Sequence, residues 1–211
     1  MRNIIVYDDF YQDPDAVRKA VLDRGFPIPR GGTYPGRMSD AFIPTGLLNL
    51  FSSIAGTEVF RPLDDRSWFG QFRISLEGDP FEQWIHMDPS DWSAILYLNP
   101  PGTTPDGYGT SFWTHKETGW SGYPGKTDTQ IVTQEMKDKG YNSYQEIRER
   151  IIYKDGLDET KWIHDIFIPG KYNRLVMFRP WLWHSHMPKN NFGNTDETGR
   201  LVQLFFMREV R

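Results

Sequence analysis

Apolar and polar positions alternate with two different periods along this chain, and the change of period divides it. Ile4 to Tyr7 is a short apolar run that reads as a strand. Asp13-Pro14-Asp15 then marks a helix start: Asp13 can cap, Pro14 fits the first turn, and Asp15 suits the positive end of the helix dipole. Val17, Ala20 and Val21 follow at helical spacing, and Gly25 stops the run. The Pro- and Gly-rich stretch 27–36 reads as loop, and a second short helix is expected over 46–55, closed by Gly56. From Ser67 onward the period shortens. Trp68–Leu76, Glu82–Met87, Ser93–Leu98 and Thr110–Thr114 read as strands, and strands return at His164–Ile168, Arg174–Phe178 and Leu201–Met207. Between them, about 116–158, two capping-box patterns, Thr127-x-x-Gln130 and Ser143-x-x-Glu146, each precede a polar helical segment.

The pattern predicts a mostly β fold with some α: a double-stranded β-helix (jelly-roll or cupin-like) core with N-terminal packing helices and a helical insert. Its 211 residues fit a single domain, 1–211, with the insert at about 116–158. Aromatic residues make up 15% of the chain, including 8 Trp, which suits a β-rich core and also an aromatic-lined pocket. The formal net charge of -4 carries no basic excess, which argues against nucleic acid as partner. There is no apolar run long enough for a membrane span, and the opening lacks an apolar signal core, so a cytoplasmic protein is expected. The absence of cysteine removes disulfides, thiolate nucleophiles and Cys-ligated metals, so any metal must be held by His and carboxylates.

That restriction gives His86-Met87-Asp88 its interest. On a strand, residues two apart share a face, so His86 and Asp88 can aim at one point just before the turn at Pro89. His184, far along the chain after Trp181-Leu182-Trp183, can complete a two-His, one-carboxylate facial triad, which leaves the other side of an iron ion open. His186 lies two residues further on and competes for the same role. Arg200 opens the last apolar strand sixteen residues after His184.

These residues, with the motifs around them, resemble the Fe(II)/2-oxoglutarate dioxygenase superfamily, especially its prolyl-hydroxylase-like branch. Tyr97-Leu98-Asn99 and Gly109-Thr110-Ser111-Phe112 are similar to that branch's Tyr-Leu-Asn strand and the Gly-x-x-Phe strand after it, and the lead-in from Asp8 to Arg18 is similar to openings of some members. The resemblance covers roughly residues 67–114 and 172–208. It implies Fe(II) held by His86, Asp88 and His184, and 2-oxoglutarate held at its far carboxylate by Arg200 and Tyr97, with ascorbate as a reductant. It prefers His184 to His186, because His-Ser after an aromatic strand looks like the family's distal ligand. Charge agrees: Fe(II) with one carboxylate and a 2-oxoglutarate dianion is left with one negative charge, which one buried Arg neutralises. The implied reaction is hydroxylation of a small molecule or a protein side chain, with release of succinate and CO2. Tyr108 departs from the pattern, since the family often has a second glycine there.

Two other readings stay open: a cupin-type metalloenzyme using the same ligands without 2-oxoglutarate, and a non-catalytic β-sandwich binding module in which the three residues are dispersed. Gln71 and Arg73 share one face of their strand and could reach a pocket or solvent. His115 is expected in a solvated loop, His164 in an ordinary strand role, Arg174 and Arg179 on the surface or in ion pairs, and Trp181 and Trp183 in the core. The insert is the candidate lid over the site. Oligomeric state and substrate are not encoded in any pattern found.

Overall fold

The computed structural model describes residues 3–29, 34–62 and 68–210. Eleven strands lie among them: β1 (Ile4–Tyr7), β2 (Ile28–Pro29), β3 (Arg37–Ala41), β4 (Val59–Phe60), β5 (Phe69–Ser75), β6 (Trp92–Tyr97), β7 (Gly109–His115), β8 (Trp162–Pro169), β9 (Leu175–Phe178), β10 (His184–Met187) and β11 (Arg200–Glu209). The larger antiparallel sheet runs β1-β9-β6-β11-β5-β3-β2, with β4 also on β11; the smaller runs β10-β7-β8. The helices are short, so the chain is mostly β with a few helices. No described helix is long and apolar enough to cross a membrane.

Alternation along β11 explains how the large sheet is used. Leu201, Phe205 and Met207 belong to an apolar cluster with Phe51 of α2 (Leu47–Ala55) and Val21 of α1 (Pro14–Arg24). Val202 and Leu204 point the other way, into a second cluster with Tyr97, Phe112, Val176 and Phe178. One face of the sheet therefore carries the helices and the opposite face looks toward the small sheet. With both faces covered, these strands read as nearly continuous apolar runs. α1 begins as its residues dictate: the Asp13 carboxylate accepts from the Ala16 N–H at 2.9 Å, and Gly25 closes the helix at φ 75°.

A third cluster is built by the insert. Trp120, Tyr123, Met136, Tyr141, Ile147, Ile151 and Ile152 pack against Trp84, Ile85, Met87 and Trp183. Ser143 caps α4 (Tyr144–Ile147), accepting from the Glu146 N–H at 3.2 Å, and the chain runs on as a π-helical stretch, Arg148–Asp155. The other expected cap does not form. Asp128 takes the Gln130 N–H at 2.9 Å into a local turn instead, and α3 (Gln134–Asp138) starts after Thr133, which accepts from the Met136 N–H. Side chains of Asp and Thr offer the backbone such alternatives, so a spacing pattern alone does not fix the start.

Two further expectations need correction. The segment 82–87 is irregular, and its one ladder contact is a bridge between His86 and His184. The stretch 27–36 contains β2, and its residues 30–33 lie outside the described residues, as does Ser67.

Candidate metal centre

Three polar side chains converge where the irregular segment meets β10. The candidate ligand atoms of His86, Asp88 and His184 all lie within 4.8 Å of one another. Backbone bonds in both directions between His86 and His184, at 3.0 and 2.9 Å, bring the two histidines side by side, and the Asp88 N–H donates to Pro180 O at 2.9 Å. The binding module reading required these three residues to be dispersed, and they are together.

The ring orientations carry more information than the proximity. His86 Nδ1 lies 2.8 Å from Trp84 O, and His184 Nδ1 lies 2.8 Å from Leu182 O. A carbonyl can only accept, so each Nδ1 carries the proton, and in the neutral ring each Nε2 presents its lone pair. Those two Nε2 atoms face the same carboxylate oxygen: Asp88 Oδ2 is 3.3 Å from His184 Nε2 and 3.9 Å from His86 Nε2. Burial, with the neighbouring His184, lowers the His86 pKa to about 4, so its ring is neutral near pH 7. Burial pushes the Asp88 carboxyl up, yet it stays below the ordinary carboxylate value and anionic, with the Arg73 cation among the groups that hold it down. Lone pairs and an anion aimed at one point repel each other unless a cation stands between them. Ligands about 2.1 Å from a metal at right angles stand about 3 Å apart, so two of the pairs, at 3.3 and 3.9 Å, and a set that all lies within 4.8 Å must draw inward to close on an ion. The chemistry of the donor set therefore fits a divalent metal.

His186 sits differently. Its Nε2 lies 3.0 Å from Lys189 O, and burial, reinforced by the charges of Arg200 and Arg73, puts its pKa well below the usual histidine range. It lines the cavity beside the cluster but does not join it.

A cavity of about 320 Å³ opens in front of the cluster, lined among others by Arg73, Ile95, Phe178, Leu204 and Phe206. Arg200 lines it too, although its side chain is almost wholly buried. Its Nε, Nη1 and Nη2 have no hydrogen-bond partner among the described residues. A buried guanidinium without a partner is costly, which makes it a receptor for an anion. The strand holds it in aim: Asn99 accepts from the Leu201 N–H at 2.8 Å and donates to Gly199 O at 2.7 Å, bracketing Arg200 on both sides. Tyr108 donates to the same Asn99 oxygen at 3.1 Å. The place for this tyrosine is kept by Gly170, where a Cβ would stand 2.4 Å from the Tyr108 ring. Tyr97 is fully buried, with its hydroxyl 2.5 Å from Thr110 Oγ1, and is not among the residues lining the cavity. Burial raises its pKa, against a smaller opposing influence from Arg200.

Several residues at the site had no signal in the sequence. Tyr34, from the Pro/Gly-rich stretch, lies 4.9 Å from the His86 ring, and its hydroxyl is 3.4 Å from Asp88 Oδ1. Phe178 packs its ring 4.7 Å from that of His184. Arg73 lines the cavity, which decides the question left open for it; Gln71 does not. Trp183 is fully buried in the insert cluster and Trp181 packs against it. His115 is a correction: it is buried, not solvated, because Thr118 Oγ1 at 3.0 Å and Asp155 Oδ2 at 3.1 Å hold its two nitrogens. The lid expectation gains no support either. No residue of 116–158 lines the cavity, and the Ile85 N–H donates to Gly156 O at 3.0 Å, so the insert backs the His86–Asp88 segment from behind.

Fold and site together define a mostly β protein with a two-histidine, one-aspartate cluster that could hold a metal ion. The chain belongs to the Family of unknown function (DUF6445), whose model matches residues 1–207. No curated protein matches it. Among solved structures, the selenomethionine-labelled Fe(II)/(alpha)ketoglutarate-dependent dioxygenase TqaL is similar over 99% of this chain and 83% of that one, at 11% sequence identity and a TM-score of 0.41. So distant a likeness transfers no residue and no activity to this chain.

Proposed function

We propose that this protein is an Fe(II)- and 2-oxoglutarate-dependent oxygenase whose two sheets form a double-stranded β-helix core. His86, Asp88 and His184 hold the metal, and Arg200 holds the far carboxylate of 2-oxoglutarate. The observation that carries the reading is the pairing of two features in one cavity. One is a donor set with both Nε2 lone pairs and an anionic oxygen facing one another; the other is a buried guanidinium with no hydrogen-bond partner among the described residues. A cupin-type metalloenzyme without 2-oxoglutarate explains the first feature and leaves the second without purpose.

The bound iron and cosubstrate would supply dioxygen activation, with 2-oxoglutarate oxidised to succinate and CO2 while a substrate C–H bond is hydroxylated. The chain's own residues bind, orient and exclude. Trp84 O and Leu182 O fix the ring tautomers of the two histidines. Tyr34 steadies the second oxygen of Asp88. Asn99 aims Arg200, and Tyr97 lies beside it as a further positioning group. Phe178 and Phe112 shield His184 from water. The test is succinate release in the presence of Fe(II), ascorbate and 2-oxoglutarate, with a substrate panel. Slow succinate formation even without substrate, abolished by His86→Ala, is expected; none in the intact protein under any condition contradicts the reading.

A further inference from the structure

Besides Arg73, two arginines of β11 line the cavity, Arg200 at one end and Arg208 at the other. Register locates both along β11. At one level Val202 faces Tyr97, whose hydroxyl meets Thr110, and Thr110 faces His186; Arg200 lies two residues before Val202. At the next level Phe206 faces Ser93, which faces Phe178, and the Phe178 ring packs on His184; Arg208 lies two residues beyond Phe206. Even-numbered residues of β11 face the cavity, so the metal cluster lies between the two arginines. Arg208 lines the cavity and also a shallow depression outside it, which puts it at the rim.

Arg208 has no ion pair among the described residues, although acidic groups are close in the chain. They are engaged elsewhere. Glu209 accepts from Arg179 at 2.7 Å and from Trp92 Nε1 at 3.0 Å, and Asp91 accepts from the Glu209 N–H at 3.0 Å. Between Arg208 and the cluster the lining is mostly apolar, with Trp68, Ile95, Leu204 and Phe206, and the Ser90 and Ser93 hydroxyls that also line it lie 3.2 Å from each other. The only carboxylate lining the cavity among the described residues is Asp88, which faces the two histidines.

We propose that the outer half of the cavity binds a small carboxylic acid with an apolar body, its carboxylate on Arg208 and its chain directed at the metal cluster. This rests on the reading above, in which Arg200 is taken by 2-oxoglutarate. The apolar walls supply area but no orientation; a fork of N–H donors at the rim supplies orientation by gripping a planar anion. A bound acid is then fixed at its head and presents a carbon several bonds away to the site.

The test uses calorimetric titration of the full chain, metal-free and loaded anaerobically with Fe(II) and saturating 2-oxoglutarate. The probes are hexanoate and 3-phenylpropionate, each against its neutral amide, with phenyl phosphate as a third anion. In the loaded protein the carboxylates should bind about tenfold or more tightly than the amides. Arg208→Ala and Arg208→Gln should erase that preference, and Arg208→Lys should keep part of it. All three variants should leave the visible absorption of the Fe(II)–2-oxoglutarate complex unchanged. Equal binding of acid and amide, no binding of either, a preference surviving Arg208→Ala and Arg208→Gln, or tighter binding of phenyl phosphate would each overturn the proposal. The two readings fail separately. If the iron–2-oxoglutarate absorption never forms but acids still bind through Arg208 in the metal-free protein, the oxygenase reading is lost and the acid site stands.

Discussion

Two buried histidine–carboxylate groups in this protein have nearly the same dimensions and opposite character. His115 lies 3.1 Å from Asp155, and His184 lies 3.3 Å from Asp88. In the first, both ring nitrogens end on protein groups: Thr118 on one side and Asp155 on the other. That group is closed, and it ties the end of β7 to the end of the π-helical stretch. In the second, each ring turns its Nδ1 to a backbone carbonyl two residues back, and both Nε2 atoms face one oxygen beside a cavity. That group is open. The difference lies in what holds Nδ1, a side-chain hydroxyl in His115 but a backbone carbonyl that leaves the Nε2 lone pair for a ligand role in His86 and His184, and it separates a structural pin from a candidate metal centre more sharply than distance or burial does.

The largest effects should come from breaking the open group. His86→Ala, Asp88→Ala and His184→Ala should each weaken Fe(II) or Mn(II) binding by on the order of 1,000-fold in a metal titration, since each removes a direct ligand. His186→Ala, with its Nε2 turned to Lys189 O, should change metal affinity by only about tenfold or less; an effect as large as that of His184→Ala would exchange their roles.

Arg200 should behave as a charge waiting for its partner. Arg200→Met should weaken 2-oxoglutarate binding by on the order of 100-fold or more. The same substitution should leave the metal-free protein as stable or raise its stability by about 1–4 kcal/mol in urea unfolding, because it removes a buried charge that has no acceptor among the described residues. A clear loss of stability would mean that the guanidinium is structurally paired.

The closed group should respond the other way. His115→Ala should lower stability by about 3 kcal/mol, leaving Asp155 buried without its partner, while the metal affinity of the folded fraction stays the same. Smallest of all, Ser143→Ala should lower thermal stability by about 1 kcal/mol, because it removes the cap on the helix that leads into the insert's packing. If either substitution abolished metal binding in folded protein, the insert would be part of the site rather than its backing.

How far these groups could be read from the chain follows from what fixes each of them. The two-residue spacing of His86 and Asp88 pointed to one site, and the structure brings both into one cluster although their segment is not a strand; Arg200 was singled out through the family resemblance, and it lines the cavity. The choice of His184 over His186 came only through family resemblance, and the coordinates separate the two through the acceptors of their ring nitrogens. The main β11, β9, β6 and β5 strands were legible because burial on both faces makes them continuous apolar runs. The strand expected at 82–87 failed because that segment draws its order from the insert and from His184, tertiary partners that no local period records. Tyr34 and Arg208 gave no signal: one comes from a Pro/Gly-rich stretch, and the other is a charged residue near a strand end. His115 looked like a loop histidine because Asp155, its partner, lies 40 residues away.

The central claim is that one cavity holds a metal and 2-oxoglutarate together, the first on His86, Asp88 and His184 and the second on Arg200. Anaerobic addition of Fe(II) and 2-oxoglutarate tests it most directly. The account predicts a visible charge-transfer absorption in the wild type, strongly weakened in Arg200→Ala and absent in His86→Ala. An intact, folded protein that binds Fe(II) yet gives no such absorption with 2-oxoglutarate would contradict it.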